Sequence, residues 1–309
     1  METGTAGDGA APERRGVSRR AVVVGAAALA AGAIGVPLGW MLREQLSPPG
    51  SPAATPMPTA TAVEPPVAAM QAAAVFTVAH RGGSADWPEM SRIAYDDAAA
   101  RGVDALEMSL ARTSDGVWVG SHDRELDRVT GESDFEVGAH TWAEVQQLTM
   151  RPTAAGQQPQ GFLRVEEFID VYHERYALWL DPKAVHRKYY EELMAIMVAR
   201  VPHPAEVYVA KCDGSITEWG ELAREQGIQS WGFYFARDLD ADPELFARTN
   251  QAWSMIGLNW DASPERWQAF VGDGRPVVAH VITDRSQYDQ AVQRGARGVM
   301  LASVSAAPG

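Results

Sequence analysis

Five apolar runs lead into residues equipped for chemistry. Val75–Ala79 passes into His80-Arg81-Gly82-Gly83, and Ala105–Ala111 carries Glu107-Met108-Ser109. Val117–Ser121 passes into His122-Asp123, Ala177–Leu180 into Asp181-Pro182-Lys183, and Glu206–Ala210 into Lys211-Cys212-Asp213. Imidazoles titrate near neutrality, guanidinium and ammonium groups hold anions, and carboxylates hold cations or protons. Two His, two acids, an Arg and two Lys at consecutive run ends are the materials of proton transfer beside a bound anion or cation. Residue types alone leave open which.

These residues meet only if the runs are neighbouring strands. Four further runs, Ser230–Phe235, Ser254–Leu258, Val277–Ile282 and Gly298–Leu301, bring the number to nine. Helix-like stretches separate most of them, among them Ser91–Ala100, Val165–Tyr176, Lys188–Arg200, Ser215–Gln226 and Arg285–Gln293. Ser114-Asp115-Gly116-Val117 reads as a two-residue hairpin turn, which folds Val117–Ser121 back antiparallel on Ala105–Ala111. Eight strand–helix units remain, and the pattern predicts a (β/α)8 TIM barrel with an inserted β-hairpin. A doubly wound open sheet is the alternative, and no glycine-rich dinucleotide turn follows the first strand to favour it. In a barrel the five run ends converge on the C-terminal mouth.

The barrel occupies residues 75–309. Arg14, Arg15, Arg19 and Arg20 precede a 22-residue uncharged stretch, Ala21–Leu42, and Ser18-Arg19-Arg20-Ala21-Val22-Val23 is similar to a twin-arginine signal. Residues 1–45 are therefore read as an export signal, cleaved or retained as a membrane anchor, which places the barrel outside the cytoplasm. Residues 46–74 hold seven of the 19 prolines and are read as a semi-extended linker. From residue 45 onward 22 Lys plus Arg face 36 Asp plus Glu. So acidic a body is a poor nucleic-acid binder. The single Cys212 excludes an internal disulfide and a cysteine zinc site. The barrel is expected to be a monomer, with membrane association only through the N-terminal segment.

Ala79-His80-Arg81-Gly82, Trp87-Pro88-Glu89, Leu106-Glu107-Met108-Ser109 and Thr113-Ser114-Asp115-Gly116 through His122-Asp123 together resemble the glycerophosphodiester phosphodiesterase family. The resemblance is specific over residues 76–131 and stays in register through Glu166–Lys183. It implies a TIM barrel that cleaves a small-molecule or lipid-headgroup phosphodiester. His80 and His122 would be general acid and base, and Arg81 and Lys183 would hold the phosphate; Glu89 is either a partner that supports Arg81 or a ligand. Glu107, the residue two positions on, and Asp181 would bind Mg2+ or Ca2+. Two departures stand out: Ser109 replaces the family's second acid, and Asp181 is one methylene shorter than the family's Glu. The metal is accordingly expected to be weakly held.

The thinned cage leaves a second reading, a barrel that binds phosphorylated ligands without turning them over. A glycosidase using Glu107 and Asp181 as paired acids leaves His80-Arg81-Gly82 and His122-Asp123 without a role. His140, His173, His186 and His203 are expected at the surface, and His280 on a late strand can line the pocket. Lys211 and Cys212 match no motif.

Overall fold

The computed structural model describes residues 64–308. The signal or anchor at 1–45 and the linker as far as residue 63 lie outside the described residues. Among the described residues nine strands form: β1 Phe76–Ala79, β2 Ala105–Arg112, β3 Trp118–Gly120, β4 Ala177–Asp181, β5 Tyr208–Asp213, β6 Gln229–Tyr234, β7 Met255–Asn259, β8 Val277–Ile282 and β9 Gly298–Leu301. Eight of them, in the order β1-β9-β8-β7-β6-β5-β4-β2, are all parallel, and the pairing of β1 with β2 closes the ring. Helices such as Arg92–Ala100, Val165–Tyr172, Tyr190–Arg200 and Arg285–Gln293 connect them. This is the (β/α)8 barrel the alternation predicts.

Strands buried on both faces explain why these runs read as nearly continuous apolar sequence. Inward positions of successive strands fill the interior with Phe76, Val78, Trp179, Trp231, Val278 and Met300. Gly257 on β7 makes room for this packing: a Cβ there would lie 2.3 Å from the indole of Trp231. The outward positions, including Leu106, Met108, Leu178 and Ala210, pack beneath the helices.

β3 runs antiparallel to β2, pairing Leu110 with Gly120 and Arg112 with Trp118. The turn differs from the expected two-residue form. The Thr113 N–H donates to Val117 O at 2.9 Å, so three residues lie between the paired positions. Gly116 takes φ +90°, the left-handed geometry such a loop asks of its last residue. The long excursion between β2 and β4 has its own small core of Ala111, Val119, Leu126, Val137, Val145 and Met150.

The linker assignment needs correction at its end. Pro66–Ala72 is a helix, α1, with Pro at its first position, where the missing N–H costs nothing. Its Val67 and Met70 are buried in the barrel interior, and the Trp179 Nε1–H points at the Met70 sulfur 3.4 Å away. The proline-rich composition continues up to the helix start, and the alanine-rich heptad after it forms the plug under the N-terminal mouth. Among the described residues no helix is long and apolar enough to cross a membrane.

Met70→Ala should therefore destabilise the protein by about 2–5 kcal/mol, as for other buried Met truncations. Gln71→Ala, at an exposed position of the same helix, should leave the denaturant midpoint within error. Equal effects of the two in urea unfolding would mean that α1 does not plug the barrel.

Candidate active site

His80, Arg81 and Gly82 form one tight turn directly after β1. Arg81 is in the left-handed region at φ +53°, a conformation that costs a non-glycine residue on the order of 1–3 kcal/mol. Two bonds hold it. Its N–H donates to Glu107 Oε2 at 2.7 Å, and its carbonyl accepts from the Met90 N–H at 2.7 Å. Gly82 follows at φ +76°, where a Cβ would lie 2.9 Å from the Ala94 Cβ, so a side chain is excluded twice over.

Below this turn lies a buried charge cluster. Glu107, Ser109 and Asp181 have no exposed surface, and Lys211 is 3% exposed. Lys211 Nζ donates to Glu107 Oε1 at 3.0 Å and to Asp181 Oδ2 at 2.6 Å. Ser109 Oγ donates to the same Glu107 Oε1 at 2.8 Å. Burial alone would raise the Glu107 pKa, but the charges of Lys211, His80 and Arg81 overcome it and hold the carboxyl at about 2. Burial would likewise lower Lys211, and Asp181 and Glu107 reverse that, so its pKa is raised.

A second network aims His122. Its Nδ1 lies 2.7 Å from Asp123 Oδ1. A carboxylate acceptor requires the proton on Nδ1, which leaves Nε2 as the working nitrogen. Asp123 Oδ2 accepts from Arg128 Nε at 2.6 Å, and Arg128 forks onto both oxygens of Glu89 at 2.7 and 3.1 Å. Glu89 Oε2 also accepts from Arg81 Nη1 at 3.1 Å. His122 and Arg81 are thus braced against each other through three intermediate side chains.

The pocket at the C-terminal mouth is lined by His80, Arg81, His122, Lys183 and Lys211 on its polar side. Trp231, Phe233, Phe235 and Met300 supply its apolar lining, with His280 among the aromatic rings. Lys183 Nζ stands 4.5 Å from the Phe233 ring centre. Burial lowers His80 well below its ordinary pKa, and Arg81 and Lys211 add to the effect against the pull of Glu107. Burial and Arg81 also lower His122, against the raising influence of Asp123. His280 is held near 3 by burial, and its Nε2 lies 3.2 Å from Tyr234 O, so it is a neutral wall residue.

The structure brings His80, Arg81, His122 and Lys183 to one pocket, with Glu107 and Asp181 directly beneath. Ser109 faces Glu107 as the alternation requires, but as a hydrogen-bond donor. Lys211 also reaches the mouth, as its run end predicts, but with a role that no motif assigns. The apolar run ends at Ala210, whereas β5 continues through Asp213 and carries Lys211 inward. A lysine between Ala210 and Cys212 inside an apolar run needs buried acids, and that was the available signal.

A divalent cation does not fit this arrangement. The position between Glu107 and Asp181 is taken by an ammonium, and Glu107 Oε2 is engaged by the Arg81 N–H. Asp181 Oδ1 is the one oxygen of these two carboxylates without a hydrogen-bond partner among the described residues. Among those residues no group of three or more His, Cys, Asp or Glu could hold a metal ion.

A closed parallel barrel with two imidazoles and three cationic side chains at its C-terminal mouth is an anion-handling site in the place where barrels keep their chemistry. Residues 80–242 match the glycerophosphoryl diester phosphodiesterase family, and the chain belongs to that family. It is 38% identical over 74 residues to a glycerophosphodiester phosphodiesterase of Bacillus subtilis, covering 24% of this chain and 25% of the relative. It is 43% identical over 56 residues to human glycerophosphodiester phosphodiesterase 1, covering 18% and 17%. The matched part of the chain thus spans a quarter or less of the length of these relatives. The fold superposes on an Oleispira antarctica phosphodiesterase in complex with the product sn-glycerol-3-phosphate, with TM-score 0.62 and 20% identity over 75% of this chain and 94% of the other. It also superposes on the Thermotoga maritima glycerophosphodiester phosphodiesterase, with TM-score 0.58 and 18% identity over 74% and 95%.

Asp123→Asn replaces a carboxylate that accepts from both His122 Nδ1 and Arg128 Nε with an amide that has one oxygen for the two, so the His122 tautomer is no longer fixed. Where the chain turns over a phosphodiester, kcat should fall by roughly 10- to 100-fold, part of the 10²–10⁴ that positioned acid–base catalysis supplies, with KM little changed. A change confined to KM would show that Asp123 serves substrate binding instead.

Proposed function

We propose that this protein hydrolyses glycerophosphodiesters or related phospholipid headgroups, with His80 and His122 moving the protons. The observation that supports it most is the pairing of two imidazoles of unlike environment over one cationic pocket. Groups whose surroundings push their pKa values apart divide into acid and base. His80, the more strongly depressed, is neutral and takes a proton. His122, backed by Asp123, keeps its proton on Nε2 more readily and gives it up.

In the reaction the oxygen of a water molecule bonds to phosphorus as the bond from phosphorus to the departing alkoxide breaks. The water proton passes to His80, and the alkoxide leaves with the proton of His122. The products are a phosphomonoester and an alcohol. Arg81 and Lys183 hold the non-bridging oxygens and offset the charge that grows on them. No step is routed through a metal ion.

Release of a phosphomonoester from a panel of glycerophosphodiesters tests this. His80→Ala and His122→Ala should each reduce kcat by about 10²–10⁴. A protein that binds glycerol phosphate but turns over none of the panel would support the binding-only reading instead. The pH profile is a separate check. The base must be neutral, so kcat/KM rises as pH passes upward through the His80 pKa. The acid must be protonated, so it falls as pH passes through the His122 pKa. Both lie below the ordinary 6.5 in the free protein, which puts the maximum on the acid side of that value. The bound diester's negative charge favours the imidazolium, so the alkaline limb of kcat should lie higher than that of kcat/KM. A kcat/KM maximum at alkaline pH would remove the two-imidazole scheme.

The arginine pair before the 22-residue uncharged stretch supports export of the enzyme to act on extracytoplasmic diesters. Replacing Arg19 and Arg20 with Lys should leave the precursor inside the cell. Unimpaired export of that variant would exclude the twin-arginine route.

A further inference from the structure

We propose that the Lys211 ammonium is the resident cation of this pocket and that the barrel cleaves phosphodiesters without a divalent ion. The inference rests on the hydrolase reading above and goes beyond it, because family resemblance points to a metal. Lys211 Nζ bridges Glu107 and Asp181, the two carboxylates that resemblance assigns to Mg2+ or Ca2+. The bridge follows from the sheet. Ser109 is paired with Asp181 across β2 and β4, and Leu180 with Ala210 across β4 and β5. Glu107, Asp181 and Lys211 therefore project into the barrel from three adjacent strands.

The charges of the cluster match this assignment. A cage of three carboxylates around a dication carries one excess negative charge. Here Ser109 removes one carboxylate and Lys211 supplies one positive charge in place of two, which again leaves one excess negative charge. The serine hydroxyl donates to Glu107 Oε1 beside the ammonium, whereas an aspartate there would set two carboxylates against each other. Ser109 and Lys211 are thus two halves of one exchange. A hard dication asks for about six to eight oxygens for Ca2+, or octahedral oxygens for Mg2+. Entering here, it would have to displace an ammonium held at 2.6 and 3.0 Å in a buried site.

An ammonium has three donors. Lys211 uses two on the carboxylates and lines the pocket floor beside His80 and Arg81. The third N–H can meet a non-bridging phosphate oxygen and offset the charge developing there, the service a metal would render as a Lewis acid.

The test uses the full chain after dialysis against chelator, with calorimetric titration of Mg2+ and of Ca2+ and a diester assay in excess EDTA. The natural protein should show no saturable uptake of either ion at millimolar concentration and undiminished hydrolysis in EDTA. Lys211→Gln should lower kcat by about 10²-fold or more, the scale on which a single oxyanion donor acts. The double change of Ser109→Asp with Lys211→Gln should bind Ca2+ or Mg2+ saturably. Saturable binding by the natural protein, or loss of its hydrolysis in EDTA with recovery on adding metal, overturns the proposal. The titration of the natural protein decides the matter even where a variant fails to fold. Should the natural chain hydrolyse no diester and also bind no metal, the hydrolase reading fails and metal-free cleavage with it, while the assignment of Lys211 as resident cation stands.

Discussion

The bridge from Glu107 through Lys211 to Asp181 is the constraint around which the mouth of the barrel is arranged. Its members come from β2, β5 and β4, so it ties three neighbouring strands together at their C-terminal ends. Glu107 has a second task, because its other oxygen holds the Arg81 N–H and so keeps the turn after β1 in its left-handed form. Without that carboxylate the Arg81 backbone would lose the bond that offsets its conformation, and the guanidinium would lose its aim. Buried ion pairs add little net stability compared with apolar packing, but removing one member leaves an uncompensated charge costing about 3–5 kcal/mol. The cluster is therefore best understood as a device for specifying one arrangement.

Arg81, Lys183 and Lys211 share the pocket with an aromatic wall, and both ammonium groups stand over the Phe233 ring. His122 is aimed from outside the ring by residues of the excursion that follows β3. The chain Asp123–Arg128–Glu89–Arg81 joins the two histidine-bearing segments, so the two proton-handling groups hold a fixed relation although they belong to different parts of the fold. Glu89, almost wholly enclosed and shared by two guanidinium groups, is the joint of that chain.

Much of this was legible in the residues. All nine strands were placed, two of them, Val277–Ile282 and Gly298–Leu301, with the observed ends, because parallel strands buried on both faces announce themselves as short apolar runs. His80, Arg81, Glu107, His122, Asp181 and Lys183 meet because strand parity and C-terminal position are local properties. What could not be read locally were partners across strands. The partner of Asp181 is Lys211 on the next strand, and no local spacing announces it. That pairing depends on β5 extending past Ala210 to Asp213, while the helical turn Pro204–Val207 takes the residues at which the apolar run begins. Helix α1 was hidden for a different reason. Pro65 and Pro66 look like a continuation of the proline-rich composition, although a proline is as much at home at the first position of a helix.

The plug formed by α1 has a practical side. It sits at the end of the barrel opposite the catalytic mouth, and the chain enters the barrel there. Residues 64–72 thus reach the barrel on the far side from the pocket lined by His80 and His122. A label or solid support coupled at the exposed Gln71 would leave that pocket open.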